Sequence, residues 1–122
     1  MSKDSSLTGN VREGIPESLP EELTQTLVTR PNTRIERILS RGQASPPDFW
    51  YDQAQHEFVL LVSGRAILEF ETSRGDIESG SERRHVELGP GDWIQIDAHV
   101  KHRVHWTDPA QTSVWVVVFY GP

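Results

Sequence analysis

Four polar residues stand immediately before an apolar run in the middle of the chain. The stretch FWYDQAQHEFVLLV (Phe49–Val62) contains Asp52, Gln53, His56 and Glu57. Carboxylates and imidazoles are oxygen and nitrogen ligands that divalent metals use in proteins. The stretch is therefore either a polar loop that leads into a strand or a group of metal ligands at the mouth of a barrel.

The sequence lacks the signatures of several other chemistries. It contains no cysteine, which excludes disulfides, thiolate zinc sites and cysteine nucleophiles. It also contains no GxSxG, P-loop, GxGxxG or HExxH motif. An acid pair such as Asp52 and Glu57 could hydrolyse a glycoside, but a chain this small has no obvious long cleft for one.

Length and charge limit the class of protein and its partners. A chain of 122 residues is expected to form one domain. Its formal net charge of −6 argues against a nucleic-acid partner, because phosphate binding needs clustered Lys and Arg. The first residues include no apolar signal segment, and no apolar run approaches the roughly 20 residues of a membrane span. We therefore expect a cytoplasmic protein with no membrane partner.

The elements that must position the polar residues are mostly short strands. Residues 1–17 are polar and predict a flexible tail before a single domain at 18–122. Ser18 and Glu21 have the spacing of a capping box, which predicts a short helix at about 19–25. Beyond it, short apolar segments are separated by turn signals roughly every 8–12 residues, apart from a polar connection at Ser73–Arg84. Seven or eight short strands predict an all-β sandwich or barrel.

Two segments resemble the paired motifs of the cupin superfamily, which are small jelly-roll barrels. Glu57 is followed by six residues and then Gly64, as in the second half of the family's first motif. The spacing from Gly91 to His102 is that of the second motif, and LGPGDW resembles the turn that precedes it. The resemblance covers about residues 33–120 and is narrowest to small bacterial single-domain cupins of unassigned activity. It implies an all-β, cupin-type double-stranded β-helix, a jelly-roll barrel, here with a short N-terminal helix, and a homodimer.

The chain departs from the family pattern where the family has metal ligands. The two histidines of the first motif fall on Trp50 and Asp52 if four residues precede the glutamate, or on Tyr51 and Gln53 if three do. Trp106 stands where the second motif has asparagine. The family's usual site of three histidines and one glutamate therefore cannot form in this chain.

The resemblance implies a reduced set of metal ligands. Glu57 and His102 keep their motif positions, and His99 or Asp52 could complete a site for a divalent metal such as Fe, Mn, Ni or Zn. Each of these four residues could also have a role that involves no metal. Glu57 could be bonded within the barrel and His102 could be a satisfied core or rim histidine, whereas Asp52 and His99 could be turn residues that bond the backbone.

Aromatic and amide side chains near the same motifs could line a ligand pocket. The candidates are Trp50, Tyr51, Gln53 and Trp106, although the tryptophans could equally fill the lumen. The remaining histidines are expected on the outer face, at the rim or in solvent: His56, His85 and His105.

Three functions remain open from the sequence. The first is a small metal-binding cupin that acts on a small organic molecule, as an isomerase, a lyase or a dioxygenase. The second is a metal-free barrel that binds a small ligand as a sensor or carrier. The third is a structural dimeric barrel with a filled lumen. Fold alone does not choose among them.

Overall fold

The computed structural model describes residues 8–72 and 82–122, which form eight antiparallel strands. A five-stranded sheet has the order β1-β2-β8-β3-β6, and a three-stranded sheet has the order β5-β4-β7. The strands are β1 (Leu23–Arg30), β2 (Thr33–Ser40), β3 (His56–Ser63), β4 (Ala66–Thr72), β5 (Glu82–Leu88), β6 (Trp93–Ile96), β7 (His102–Thr107) and β8 (Ser113–Tyr120). This confirms the predicted all-β jelly-roll architecture. In the polar connection predicted at Ser73–Arg84, residues 73–81 lie outside the described residues.

The predicted N-terminal helix is wrong. In the described part of the chain residues 18–22 form no helix, and Leu23–Arg30 is the edge strand β1, which pairs with β2 from Leu23↔Leu39 to Arg30↔Thr33. The segment TQTLVT is rich in β-branched residues, whose stiff side chains suit a pleated surface. A capping-box spacing is a local signal, and pairing with β2 overrides it. No helix able to cross a membrane occurs in residues 8–72 or 82–122.

The main core lies between the two sheets and follows the alternation of the strands. In β3 the buried positions include Val59 and Leu61, and in β4 they include Leu68 and Phe70. Successive side chains of a strand point to opposite faces, so these residues meet in one layer. The layer is completed by Ala66, Leu88, Ile96, Trp115 and Val117.

A second, smaller core joins the N-terminal segment to the large sheet. Val11 and Ile15 pack against a buried cluster that contains Leu39 and Val114. The guanidinium of Arg37 donates hydrogen bonds to the backbone carbonyls of Val11 and Glu13, at 3.0 and 2.6 Å. Part of the predicted tail, from Val11 to Ile15, is therefore held against β2, whereas residues 1–7 lie outside the described residues.

The loop between β2 and β3 positions the polar stretch at Asp52–Glu57. Its Ser45 N–H donates to the carbonyl of Val104 at 2.9 Å, so the loop runs beside strand β7. Further along, Tyr51 forms an isolated β-bridge with His102. The loop thereby covers one edge of the small sheet and brings Tyr51 and Gln53 to the end of the barrel that contains Glu57.

Candidate functional site

A cavity of about 260 Å³ opens between the two sheets. Its floor is apolar, with Val59, Leu68 and Trp115 among the lining residues. Eight polar residues also line it: Glu22, Thr24, Arg34, Glu36, Tyr51, Gln53, Glu57 and His102. A partly apolar hollow with a few convergent polar groups is the usual form of a small-molecule site.

Glu57 and His102 form an ion pair inside this cavity. Glu57 is the first inward-facing residue of β3, and His102 begins β7 on the opposite sheet. Only 8% of Glu57 and 4% of His102 is exposed. Glu57 Oε2 lies 3.2 Å from His102 Nε2. A carboxylate buried to this degree needs a partner, and His102 is the cation that the fold supplies.

The second ring nitrogen of His102 fixes the orientation of the imidazole. His102 Nδ1 lies 2.9 Å from the carbonyl oxygen of Val100, which can only accept a hydrogen bond. Nδ1 therefore carries a proton, and Nε2 is the atom presented to Glu57 and to the cavity. Burial lowers the pKa of His102, but the hydrogen bonds to Glu57 and to Val100, together with the charge of Glu57, outweigh burial and raise it. The protein thus favours a charged imidazole beside Glu57.

Gln53 and Tyr51 also line the cavity and contact the Glu57–His102 pair. The amide of Gln53 donates a hydrogen bond to Glu57 Oε2. The ring of Tyr51 stacks on His102, with centroids 5.4 Å apart and planes at 26°. Partial burial and the negative charges of Glu22 and Glu57 raise the pKa of the Tyr51 phenol. Its hydroxyl therefore stays protonated and remains a hydrogen-bond donor.

The electrostatic balance of the cavity is acidic. Three carboxylates line it, from Glu22, Glu36 and Glu57, whereas the cationic side chains are Arg34 and His102. Even with His102 protonated, carboxylates outnumber cations by three to two. Arg34 is also engaged, because its Nε donates to Glu36 Oε2 at 2.7 Å. The cavity favours a cation or a neutral polar molecule over a free anion.

Asp52 and His99 form a separate pair at the rim. Both side chains are solvent-exposed, and His99 Nδ1 lies 2.8 Å from Asp52 Oδ1. His99 has a φ of +67°, and its N–H donates to the carbonyl of Gln53 at 2.8 Å. In the described part of the chain, no three of Asp52, Glu57, His99 and His102 bring ligand atoms within 4.8 Å of one another.

The predicted pocket residues divide between the inside and the outside of the barrel. Tyr51 and Gln53 line the cavity, whereas Trp50 and Trp106 line two depressions on the outer surface. Trp50 precedes Tyr51 and faces the other way. Trp106 follows a β-bulge, in which His105 has no partner on β4, and this bulge breaks the alternation counted from Val104.

The donor atoms in the cavity fit a divalent metal with two firm protein ligands. The hydrogen bond from His102 Nδ1 to Val100 leaves Nε2 as the available ligand atom, which is the usual arrangement for a metal-binding histidine. Glu57 Oε2 adjoins it, and the Gln53 amide could present its oxygen after rotating. Such a site would leave several coordination positions for water or substrate.

A second cluster of titratable residues lies on the outer face of the small sheet. Glu69, His85 and His105 bring one ligand atom each within 4.8 Å of the others, and this is the only such group of three among residues 8–72 and 82–122. The sequence predicts His85 and His105 outside the core, where the structure also has them, but Glu69 is not among the predicted site residues. The available signal was Glu69 standing at an outward position between the inward Leu68 and Phe70.

Comparisons with known proteins give the family. No family model and no curated protein matches the chain. A crystal structure from Ralstonia eutropha JMP134, described as "a putative mannose-6-phosphate isomerase", is 42% identical, with a TM-score of 0.81 over 94% of this chain and 98% of that one. A cupin superfamily protein from Desulfitobacterium hafniense DCB-2 is 14% identical, with a TM-score of 0.67 over 88% of this chain and 84% of that one.

This chain belongs to the cupin superfamily. A cupin domain from Bordetella pertussis tohama i shares the fold at 14% identity, with a TM-score of 0.58 over 88% of this chain and 100% of that one. This cupin has a Glu–His pair in its lumen and a Glu–His–His cluster on its outer face. Either group could hold a metal.

Proposed function

We propose that this cupin binds a divalent metal ion at Glu57 and His102 and acts on a small, neutral, oxygen-rich organic molecule in its cavity. The observation that carries the proposal is the convergence of Glu57 Oε2 and His102 Nε2, 3.2 Å apart, on two facing sheets. Buried ion pairs contribute little net free energy to folding, so stability alone does not account for such a pair in a cavity.

The charge of the cavity supports a cation. A divalent ion would offset the excess of carboxylates and would make the proton on His102 Nε2 unnecessary. When bound, it would supply Lewis-acid stabilisation of an oxygen of the substrate. Glu57 and His102 would hold it, Gln53 would fix the orientation of Glu57, and the protonated hydroxyl of Tyr51 could donate a hydrogen bond to the substrate.

The same charge argues for a neutral substrate. A sugar phosphate would carry a dianion into a cavity whose Arg34 is already bonded to Glu36. Among the reaction classes open to the fold, isomerisation is favoured by the Ralstonia protein described as a mannose-6-phosphate isomerase. We therefore place a hydroxycarbonyl compound, such as an unphosphorylated aldose or ketose, first among the substrates.

Proton exchange in D2O tests the activity without knowledge of the product. Metal-loaded protein would be incubated with a panel of aldoses, ketoses and hydroxy acids, and deuterium incorporation next to the carbonyl would be followed by NMR. Exchange that disappears in Glu57→Gln but persists in Glu36→Gln, a control carboxylate of the same cavity, is the expected result. An absence of exchange over the whole panel would remove isomerisation by proton transfer through an enediol.

A metal-free, ligand-binding cupin is the second candidate. It is favoured by the fact that Glu57 and His102 already satisfy each other, with Gln53 and Val100 as further partners. This account expects a ligand to raise the melting temperature of chelator-treated protein. At a ligand concentration of a hundred times Kd, the free energy of unfolding should rise by about 2.7 kcal/mol. A rise only in the presence of metal would favour the first candidate.

We also propose that the protein forms a homodimer. Strand β1 is an edge of the large sheet, and Leu27 on it is exposed. Edge strands with apolar side chains are commonly covered by another chain. Sedimentation of the wild type and of Leu27→Glu tests this, since a dimer through β1 would be weakened by the substitution.

A further inference from the structure

We infer that the outer face of the small sheet holds a second divalent-metal site, formed by Glu69, His85 and His105. The three ligands come from the three adjacent strands β4, β5 and β7. Glu69 stands opposite His85 on one side and opposite Arg103 on the other. The site is separate from the pair in the lumen, because Glu69 and the cavity residue Leu68 point to opposite faces of β4.

The ligand atoms have the spacing of a metal site. Glu69 Oε2 lies 3.3 Å from His85 Nε2, and Glu69 Oε1 lies 3.8 Å from His105 Nδ1. Ligands bound about 2.1 Å from a tetrahedral ion lie about 3.4 Å from one another, so small rotations of the side chains would complete the site. Two imidazoles and one carboxylate suit zinc, nickel, copper or iron, with positions left open for water.

The third ligand, His105, lies on the same outer face of β7 as Arg103, two residues earlier. The register between β4 and β7 shifts between Ile67 and Leu68, which leaves His105 as the extra residue of β7. The ring of His105 lies 4.3 Å from that of His85, with planes at 30°. His85 and His105, from the two strands that flank β4, therefore lie together above Glu69.

The carboxylate is held in place by a partner outside the ligand set. Glu69 is only 5% exposed, and its Oε1 accepts a hydrogen bond from Arg103 Nη1 at 2.7 Å. Arg103 is anchored in turn by the carbonyls of Ser45 and Pro46, at 2.8 and 3.1 Å. A ligand carboxylate fixed in this way needs little reorganisation, and its Oε2 remains directed at His85.

Arg83 is a second cationic side chain beside the Glu69 carboxylate, after Arg103. Its Nη1 lies 4.0 Å from Glu69 Oε2, and its side chain is 59% exposed. A positive charge at this distance competes with a metal for the carboxylate. The guanidinium of Arg83 also lies over the ring of Trp50, 5.3 Å from the centroid, and its side chain is mostly exposed, so it lowers the affinity without blocking the site. Replacing it should therefore tighten metal binding, which a purely structural cluster would not predict.

Titration of Zn²⁺ and Ni²⁺ into the metal-stripped, untagged full chain tests the site by calorimetry. His85→Ala and His105→Ala are the informative variants, because both side chains lie outside the core and are 45% and 41% exposed, so that their loss spares the fold. Each should weaken one binding event by at least about tenfold. Arg83→Ala should strengthen the same event, and His56→Ala, at a half-buried histidine outside both clusters, should leave it unchanged.

The double variant Glu57→Gln/His102→Ala separates this site from the proposed site in the lumen. The outer site should bind with unchanged affinity in that variant, whatever happens in the lumen. Titrations of His85→Ala and His105→Ala that superimpose on the wild type would overturn the inference. Weaker binding in Arg83→Ala would also contradict it.

Discussion

Removing the charge of Glu69 should destabilise the protein substantially at neutral pH. Glu69 is nearly inaccessible, and its carboxylate accepts a 2.7 Å hydrogen bond from Arg103 and lies 3.3 Å from His85. Hydrogen bonds to charged groups contribute about 1.5–3 kcal/mol, and breaking a buried ion pair costs about 3–5 kcal/mol. Arg103 retains two carbonyl acceptors. We therefore expect Glu69→Gln to lower the free energy of unfolding by about 3 kcal/mol in metal-free buffer.

The loss should depend on pH in a defined direction. Burial raises the pKa of Glu69, but the hydrogen bonds from Arg103 and His85, with the charges of Arg103 and His105, outweigh burial and lower it. A carboxyl with a lowered pKa in the folded state contributes stability above its unfolded pKa, about 4.3. That contribution disappears as the pH falls through the folded value. The difference between wild type and Glu69→Gln should therefore be full at pH 7 and shrink below about pH 4.

Urea unfolding at pH 7 and pH 3 in the presence of chelator measures both quantities. Glu71→Gln is the matched control, because Glu71 lies two residues along the same face of β4 and pairs with the exposed Lys101 at 3.7 Å. That variant should change stability by less than about 1 kcal/mol. A loss for Glu69→Gln no larger than for Glu71→Gln, or one equal at both pH values, would refute the reasoning.

Two further substitutions test close contacts made by strand β8 of the large sheet. Ser40→Ala removes the acceptor of a buried 2.8 Å hydrogen bond from Trp115 Nε1 and should cost about 1–3 kcal/mol in urea unfolding; an unchanged midpoint would contradict this. Gly64→Ala should cost several kcal/mol or prevent folding, because Gly64 has a φ of +96° and an added Cβ would lie 2.5 Å from the Cα of Ser113. Gly14→Ala, at a φ of +67° with nothing within 4 Å of its Cβ, is the control and should cost only about 1 kcal/mol. Equal losses at the two glycines would contradict the close-approach argument.

Local sequence patterns were sufficient for most of the fold. Alternation in β4 and the motif spacing from Gly91 to His102 both depend on residues close in sequence. The predicted N-terminal helix was wrong because a non-local contact decides the structure of that segment. Its capping signal at Ser18 and Glu21 is local, whereas the strand at Leu23–Arg30 is stabilised by β2, a non-local partner that propensity does not include.

The site was accessible from the sequence only in part. Motif spacing identified Glu57 and His102, which the structure pairs at 3.2 Å. The other two cavity carboxylates are Glu22, which precedes β1, and Glu36, which lies on β2. Their approach to Glu57 depends on the order of strands in the sheet. The outer cluster needs the registers of β4 with its two neighbouring strands. Neither can be read from one sequence.

Elemental analysis tests the central claim, that Glu57 and His102 hold a metal in the lumen. Untagged protein would be exposed to Fe, Mn, Ni and Zn salts, freed of loosely bound ions and analysed beside the variants Glu57→Ala and His102→Ala. The analysis would be made in a His85→Ala/His105→Ala background, so that the outer cluster does not contribute. The account predicts close to one ion per chain in the parent and a loss of it in both lumen variants. Retention of that ion in Glu57→Ala and His102→Ala, or no bound ion in the parent with any of the four metals, would contradict it.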